Sequence, residues 1–272
     1  MRIVHFSDIH LGTWPQSPRA LFDKRFLGLL NYAIRRRPHM HEDYARKAID
    51  RIAGLKPDCV ICSGDITCIG SPAEFKKARN LLAPLVETTD FDFLYVPGNH
   101  DVYVNNPECR TALERTFSYM NRNRWQLEQL PQRYQVGRME ILLVNECRPT
   151  PIIGSYGILD KKTRKFLPEW LARDRTPGYV RALLGHFPTR HSQGEALARR
   201  RRLYHGDAIH QVLRGGELDL YFCGHIHDPY INRFETGSLE MCAGSLTTHG
   251  CINLVEISET GKINQQWENV IT

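Results

Sequence analysis

Residues 91–101 read Phe-Asp-Phe-Leu-Tyr-Val-Pro-Gly-Asn-His-Asp, an apolar run followed by a glycine and three polar side chains. The aromatic and β-branched residues at 91–96 are typical of a buried strand. Open α/β sheets bind their ligands beyond the carboxyl ends of such strands. The stretch therefore predicts a layered α/β sheet in which residues that do chemistry follow the strands.

The same pattern occurs at the ends of four other predicted strands, at 2–7, 58–63, 180–184 and 218–223. Because these ends share one side of an α/β sheet, we expect the blocks that follow to converge on one crevice. Aspartate, asparagine and histidine, without cysteine, suit divalent cations such as Mn, Fe(II), Zn or Mg. The five blocks are Asp8-Ile-His10, Gly64-Asp65, Gly98-Asn-His-Asp101, Gly185-His186 and Gly224-His-Ile-His227.

Length and composition place the chain among globular proteins. It has 272 residues, of which 42% are hydrophobic and 24% are charged, so disordered and collagen-like classes are excluded. Strands and helices alternate without a long linker, which predicts a single domain over 1–272. No apolar run approaches the about 20 residues of a membrane span, and the start lacks a signal-peptide pattern, so we expect a cytoplasmic protein.

Helices are expected at 20–36, 42–53, 72–86, 107–121, 161–172 and 207–213, whereas 239–270 is expected to hold strands and turns without a helix. The pair Cys59 and Cys62 lies in an apolar run and predicts a buried strand, not a zinc site. No structural disulfide is expected in a cytoplasmic chain of this length. His249 follows the last block and is a candidate for the rim of the crevice.

The five blocks, in this order, resemble the calcineurin-like metallophosphoesterase superfamily, whose pattern is D-x-H, G-D, G-N-H-[DE], G-H and G-H-x-H. The resemblance extends over residues 8–227 and implies a four-layer α/β/β/α sandwich of two mixed sheets with flanking helices. It also implies a binuclear metal centre with Asp65 as the bridge. The first ion would be held by Asp8, His10, Asp65 and His227, and the second by Asp65, Asn99, His186 and His225.

The chemistry that this resemblance implies is metal-dependent hydrolysis of a phosphodiester or pyrophosphate bond. Two divalent ions about 3.5–4 Å apart clamp a phosphoryl group and generate hydroxide between them. Manganese is the first expectation for both ions, with iron, zinc and magnesium as alternatives. His100 would stand beside the phosphate and protonate the leaving oxygen, while Asp101 would orient that imidazole or a neighbouring ligand.

A lid-like helical insertion is expected at about 14–40, and it leaves the substrate open. Apolar residues at 21, 22, 26, 27, 29, 30, 33 and 34 cover more of the 19–37 helix than one amphipathic stripe requires. Arginines cluster at Arg35–Arg37 and again at Arg199–Arg202. The helix either packs in the core or receives an acyl chain, with the arginines against phosphate or anionic lipid headgroups.

Two subgroups of the superfamily therefore compete for the function. The insertion slightly favours the UDP-2,3-diacylglucosamine pyrophosphohydrolases of lipid A synthesis, which implies a nucleotide-lipid substrate and peripheral contact with the inner membrane. The alternative is a soluble cyclic-nucleotide phosphodiesterase of the cAMP type. A nuclease ranks third because the basic segments lack interleaved aromatic residues, so nucleic acid is not an expected partner. A non-catalytic scaffold would not need the complete set of ligands.

Overall fold

The computed structural model describes residues 1–13, 24–31 and 37–271, and within these ranges it contains thirteen strands and seven α-helices. The strands are β1 (Arg2–Phe6), β2 (Cys59–Cys62), β3 (Asp92–Tyr95), β4 (Gln132–Val136), β5 (Met139–Leu143), β6 (Gly157–Ile158), β7 (Val180–Leu184), β8 (Leu203–Tyr204), β9 (Leu220–Cys223), β10 (Tyr230–Arg233), β11 (Leu239–Cys242), β12 (Cys251–Ile257) and β13 (Ile263–Asn269). The helices are α1 (Lys24–Asn31), α2 (Glu42–Leu55), α3 (Pro72–Val86), α4 (Pro107–Met120), α5 (Lys161–Leu171), α6 (Asp207–Gly215) and α7 (Leu246–His249).

The strands form two large mixed sheets and a short ribbon. The first sheet has the order β13-β12-β1-β2-β3, and the second has the order β10-β11-β9-β7-β5-β4. Strands β1, β2 and β3 are parallel to one another, as are β5, β7, β9 and β11, whereas β6 pairs with β8 outside both sheets. Parallel strands end at the same edge, so each sheet presents several carboxyl ends together.

Alternating side chains show how the two sheets pack. Ile141, Ala182 and Phe222 share a core with the first sheet, and the ring of His5 on β1 meets that of Phe222 on β9 at a centroid distance of 5.1 Å. The neighbouring residues on β5, β7 and β9 point the other way, into a second core with α5 and α6. Helices α2, α3 and α4 contribute to the core of the first sheet. The sheets therefore lie face to face with helices outside.

Local signals set the helix ends that the sequence predicted well. Ser71 and Glu74 form a capping box and Pro72 occupies the first turn, so α3 begins and ends where it was predicted. Asn106 caps α4 and Asp160 caps α5 by accepting hydrogen bonds from backbone N–H groups. Cys59 and Cys62 lie in the fully buried strand β2, as predicted, and burial raises the pKa of both thiols.

Two expectations need correction. The segment 239–270 contains a short helix, α7, although none was predicted there; four residues are too few to show a helical period. Strand β4 was not predicted because its Gln-Arg-Tyr-Gln-Val sequence is largely polar and lies at a sheet edge. In the ranges that the structure describes, no helix has the length and apolar character needed to cross a membrane.

The insertion is described in part. Helix α1 covers 24–31 of the predicted helix 20–36, and residues 14–23 and 32–36 lie outside the described residues. On α1, Arg25 is buried whereas Phe26 and Leu30 are 44% and 46% exposed. Gly28 packs so closely that a Cβ there would lie 2.7 Å from the Tyr103 hydroxyl. One side of α1 therefore packs on the protein while two apolar side chains face solvent.

Candidate metal centre

The five predicted blocks meet at one edge between the two large sheets. Each block follows a strand of the parallel group in its sheet, and the loops turn so that their polar side chains face one another. Strands β1, β2 and β3 supply Asp8, His10, Asp65, Asn99 and His100, and strands β7 and β9 supply His186, His225 and His227. All seven predicted metal ligands and His100 therefore come together.

A first group of ligand atoms is formed by Asp8, His10 and His227. The Nε2 atom of His10 lies 3.3 Å from Asp8 Oδ1 and 3.1 Å from His227 Nε2. The Nε2 atom of His227 is 3.7 Å from Asp8 Oδ1. Asp65 joins this group, since its Oδ2 atom is 3.8 Å from His10 Nε2. These four residues are the predicted set for the first ion.

A second group surrounds the side-chain oxygen of Asn99. His225 Nδ1 lies 2.8 Å from Asn99 Oδ1, and His186 Nε2 lies 3.2 Å from the same oxygen. His186 Nε2 is also 3.5 Å from Asp65 Oδ2, the atom that faces the first group. The two groups therefore meet at one carboxylate oxygen.

Backbone carbonyls fix the orientation of two of these imidazoles. His10 Nδ1 is 3.3 Å from the carbonyl oxygen of Thr67, and His186 Nδ1 is 2.7 Å from that of Ser63. A carbonyl only accepts hydrogen bonds, so Nδ1 carries a proton in both rings and Nε2 points into the centre, where it can bind a cation once it has lost its own proton. This second hydrogen bond is the usual arrangement of histidines that bind metals.

The backbone is strained at four of the predicted ligands. Asp8, His10, Asp65 and His225 all have positive φ angles, between 50° and 68°. Residues other than glycine seldom adopt this conformation, and it persists mainly at functional sites where the surrounding structure compensates. The sharp turns that follow the strands are therefore made by the candidate ligands themselves.

Two of the neighbouring glycines are needed because the loops approach each other closely. A Cβ at Gly98 would lie 2.1 Å from Asp65 Oδ1, and one at Gly224 would lie 2.4 Å from Asp8 Oδ2. Any larger residue would displace the carboxylates of the centre. The glycine in these two blocks thus makes room for ligands on adjacent loops.

The charges of the centre favour a cation. Burial opposes ionisation of His186, but the carboxylates of Asp65 and Asp8 raise the pKa of this imidazole to about 10. Burial alone would raise the pKa of Asp65, yet the imidazoles of His186, His100 and His10 hold it well below its usual range. Burial likewise opposes ionisation of Asp8, but the imidazoles of His10, His186 and His227 lower its pKa. Both carboxylates thus remain ionised and attract positive charge into the site.

The donor set fits metal ions. Among the residues that the structure describes, Asp8 Oδ1 is a buried atom without a hydrogen-bond partner, which is costly unless a cation binds it. The Nε2 atoms of His10 and His227, 3.1 Å apart, also need a proton or a cation between them. Carboxylate, amide and imidazole ligands suit the divalent ions predicted from the sequence.

His100 lies beside both groups. Its ring meets that of His10 at a centroid distance of 4.8 Å, and its backbone N–H donates to Asp65 Oδ1 at 2.7 Å. The Nδ1 atom is 2.6 Å from the carbonyl oxygen of Cys68, which leaves Nε2 on the side of the centre. Tyr103 stacks on the ring at 5.4 Å, and Lys24 of α1 lies 4.5 Å from the Tyr103 ring centroid.

Asp101 joins two loops of the centre. Its Oδ1 accepts from the backbone N–H and the hydroxyl of Thr67, and its Oδ2 accepts from Gly98 N and the Tyr95 hydroxyl. The carboxylate thus ties the segment after Asp65 to the segment that carries His100. The structure places it as a positioning group, and its predicted catalytic role remains a prediction.

Glu146 is a functional candidate that sequence reasoning missed. Its buried Oε2 accepts from the backbone N–H groups of His186 and Phe187, both at 2.8 Å, and its Oε1 accepts from the Tyr221 hydroxyl. The carboxylate therefore fixes the loop that presents His186. The available signal was the same as elsewhere, because Glu146 is a polar residue that comes three positions after the apolar strand β5.

The loop after β11 also borders the centre. The Ser245 hydroxyl donates to Asp8 O at 2.9 Å, and Ser245 N donates to His227 O at 2.7 Å. His249 Nε2 lies 3.5 Å from Asp228 Oδ1, next to His227. His249 therefore lies near the rim, where the sequence had suggested it.

Solved phosphatases share this architecture. The structure of a dimetal phosphatase from Danio rerio gives a TM-score of 0.66 at 13% identity, and the alignment covers 99% of this chain and 96% of that one. Purple acid phosphatase PPD1 from yellow lupin (Lupinus luteus) seeds gives 0.67 at 11% identity, with coverages of 99% and 51%. The chain therefore has the metallophosphoesterase fold that the resemblance implied.

The sequence comparison identifies the family. A family model described as calcineurin-like phosphoesterase matches residues 1–229. The chain belongs to the calcineurin-like phosphoesterase family, whose members depend on two metal ions. It is 27% identical over 232 residues to a cAMP/cGMP dual specificity phosphodiesterase of Mycobacterium tuberculosis (strain CDC 1551 / Oshkosh), an alignment that includes 83% of this chain and 61% of that relative.

Proposed function

We propose that the protein is a binuclear metal-dependent phosphodiesterase whose substrates are nucleotides, cyclic nucleotides included. The observation that carries this proposal is the position of Asp65 Oδ2, which faces His10 Nε2 at 3.8 Å and His186 Nε2 at 3.5 Å. One carboxylate between two groups of ligand atoms is what a two-ion centre requires. The mycobacterial relative supports the substrate class.

The ligand assignment follows from the two groups. When bound, two divalent ions supply a nucleophile from water at neutral pH and stabilise the charge of the phosphoryl oxygens. Among the seven proposed ligands, Asp8 and Asp65 alone are carboxylates, so with two divalent ions the centre would stay positive enough to attract a phosphodiester. One ion would be held by Asp8, His10, Asp65 and His227, and the other by Asp65, Asn99, His186 and His225.

His100 has the surroundings of a general acid. In its protonated form the ring donates from Nδ1 to Cys68 O and retains a second N–H, on Nε2, for the leaving oxygen. The stacked ring of Tyr103 and the hydrogen bond from His100 N to Asp65 hold the residue in place. His100 would thus protonate the leaving group, while Asp101 and Glu146 position the loops.

Metal content and turnover of defined substrates test the proposal. The purified protein should contain about two divalent ions per chain and hydrolyse cAMP, cGMP and bis-p-nitrophenyl phosphate. Chelation should abolish turnover, and Mn²⁺ is the ion that we expect to restore it best. Undiminished turnover of the metal-free protein would disprove the metal centre, and hydrolysis of the generic diester without either cyclic nucleotide would disprove the substrate class.

A second candidate substrate is the lipid-linked pyrophosphate UDP-2,3-diacylglucosamine. The observation in its favour is that Phe26 and Leu30 are exposed on α1, which packs through Gly28 on Tyr103 beside His100. An acyl chain lying on α1 would explain these two apolar side chains. Phe26→Asp should then reduce hydrolysis of the lipid nucleotide and spare a small soluble diester. If Phe26→Asp changed the hydrolysis rates of both substrates by the same factor, this role for α1 would be excluded.

A further inference from the structure

A β-turn at 151–154 presents two isoleucines to solvent. Gly154 N donates to Pro151 O at 2.9 Å, so Ile152 and Ile153 occupy the two central positions, and the Thr150 hydroxyl closes the turn on Gly154 O. Ile152 is 63% exposed and Ile153 is 84% exposed. They are the most exposed large apolar side chains among the described residues.

Isoleucine is a poor residue for these positions. The central positions of turns favour Pro, Gly, Asn, Asp and Ser, while β-branched residues fit the pleated surface of a strand. Two adjacent exposed isoleucines also expose apolar area that folding does not bury. Since the two isoleucines contribute little to the stability of this turn, a contact with a partner outside the chain would explain why they are there.

The base of the turn is aromatic and basic. The rings of Tyr156 and Tyr204 meet edge to face at 5.2 Å, and the Arg202 guanidinium lies 4.3 Å from the Tyr204 ring centroid. Ser155 N donates to Arg200 O at 2.8 Å, which places the exposed arginine segment Arg199–Arg202 directly beside the turn. The two segments 147–156 and 196–206 together contain five arginines and no aspartate or glutamate.

We propose that the 151–154 turn and the arginine segment Arg199–Arg202 dock the protein on an anionic phospholipid bilayer. Exposed isoleucines insert into the apolar boundary, tyrosines suit the headgroup level, and the four consecutive arginines complement anionic headgroups. Asp207, the acidic residue close to Arg202, is paired with Arg190. The combination of an apolar tip and a cluster of exposed arginines distinguishes a lipid surface from an ordinary solvated charged face. The proposal does not depend on the substrate.

The docking surface is connected to the metal centre by direct packing. The strand that follows the turn contains Gly157, where a Cβ would lie 2.4 Å from the Phe187 ring. The Phe187 ring in turn meets that of His225 at a centroid distance of 4.3 Å. Docking would therefore hold this side of the centre next to the bilayer, although the turn itself contributes no residue to it.

Cosedimentation with vesicles tests the proposal on the full chain. Vesicles of phosphatidylcholine with about 30% phosphatidylglycerol should bind the protein at low salt, and pure phosphatidylcholine should bind it far less. The double variant Ile152→Ser/Ile153→Ser should lower the partition coefficient by about 10-fold or more, because its apolar area is lost. Arg199→Gln/Arg200→Gln should lower it by about 10-fold and reduce its salt dependence.

Matched variants keep the outcome decisive. The isoleucine variant should retain its melting temperature and its turnover of bis-p-nitrophenyl phosphate, so failure of the docking surface is distinguishable from failure of the proposed activity. The control variant Phe26→Ser/Leu30→Ser removes the exposed apolar pair of α1 instead, and it should bind anionic vesicles as the wild type does. The proposal is overturned if the wild type does not bind anionic vesicles, or if the isoleucine variant binds like the wild type. It is also overturned if that variant changes only the oligomeric state.

Discussion

Asp65 and Asp101 are buried aspartates on adjoining loops, and their surroundings are opposite. Asp65 faces the imidazoles of His10 and His186, which, against the effect of burial, hold its pKa well below the usual range. Within the part of the chain that the structure describes, Asp101 accepts from backbone N–H groups and hydroxyls, and not from a charged side chain. Burial raises the pKa of Asp101, and the negative charge of Asp65 raises it further.

The difference separates two roles that a motif alone does not distinguish. A carboxylate among imidazoles keeps its charge and can bind a cation, so Asp65 belongs to the chemistry of the site. A carboxylate surrounded by uncharged donors stabilises the loops that carry the ligands, so Asp101 acts through geometry. Substitutions at Asp65 should therefore change metal content and turnover, whereas substitutions at Asp101 should mainly change the free energy of unfolding.

The largest effect is expected at Asp65. Asp65→Ala removes the carboxylate common to both groups, so both ions should be lost and turnover should fall by about 10³-fold or more. Metal content and diester hydrolysis measure the two effects. Asp174→Ala, at an exposed aspartate, is the control and should retain both. A metal-loaded, active Asp65→Ala protein would remove the distinction between the two aspartates.

We propose that His100, like Asp65, takes part in the chemistry, but through the substrate and not as a metal ligand. His100→Asn should lower kcat by about 10²-fold, the usual scale for a positioned acid, and leave the metal content near wild type. The loss should be smaller for p-nitrophenyl esters, whose leaving group needs little protonation. Loss of metal together with activity would instead place His100 among the ligands.

The sequence predicted the centre because each block follows a strand, and parallel strands bring distant blocks to one edge. It did not predict the supporting contacts. Glu146 and His186 are separated by 40 positions, and their link is a side chain accepting from backbone N–H groups, which leaves no spacing pattern. The interpretation of Asp101 was limited for the same reason, since its donors lie on two loops.

The insertion shows a second limit on what the sequence could predict, namely the orientation of a helix. Its apolar residues predicted a helix with a wide apolar surface, and α1 confirms a helix at 24–31. Composition could not say which side packs inward. In the structure Arg25 is buried and Gly28 packs on Tyr103, while Phe26 and Leu30 face solvent. Contacts with α4 and the loop at 150, distant in sequence, decide this orientation.

Asp101 should affect stability more than chemistry. Asp101→Asn leaves one acceptor oxygen and turns the side-chain NH2 group toward the N–H of either Gly98 or Thr67, so we expect a loss of about 2–4 kcal/mol in the free energy of unfolding. Metal content of the folded protein should persist, and kcat should fall less than in His100→Asn. Tyr95→Phe, which removes a single donor, should cost about 1 kcal/mol.

The smallest expected effect extends the comparison to Glu74, a carboxylate held by the backbone N–H groups of Ile69 and Ser71. Burial raises the pKa of Glu74 from 4.5 to about 7. Between these values the unfolded chain releases its proton first, so the stability contributed by this group falls as pH rises.

Glu74→Gln removes that dependence, and the slope of the free energy of unfolding between pH 5 and pH 7 should become less negative by roughly 1 kcal/mol per pH unit. Denaturant unfolding at several pH values measures the slope, with Glu169→Gln, at an exposed glutamate, as the control. A slope unchanged from wild type would show that Glu74 is ionised in the folded protein, and that backbone donors alone can hold a buried charge in this fold.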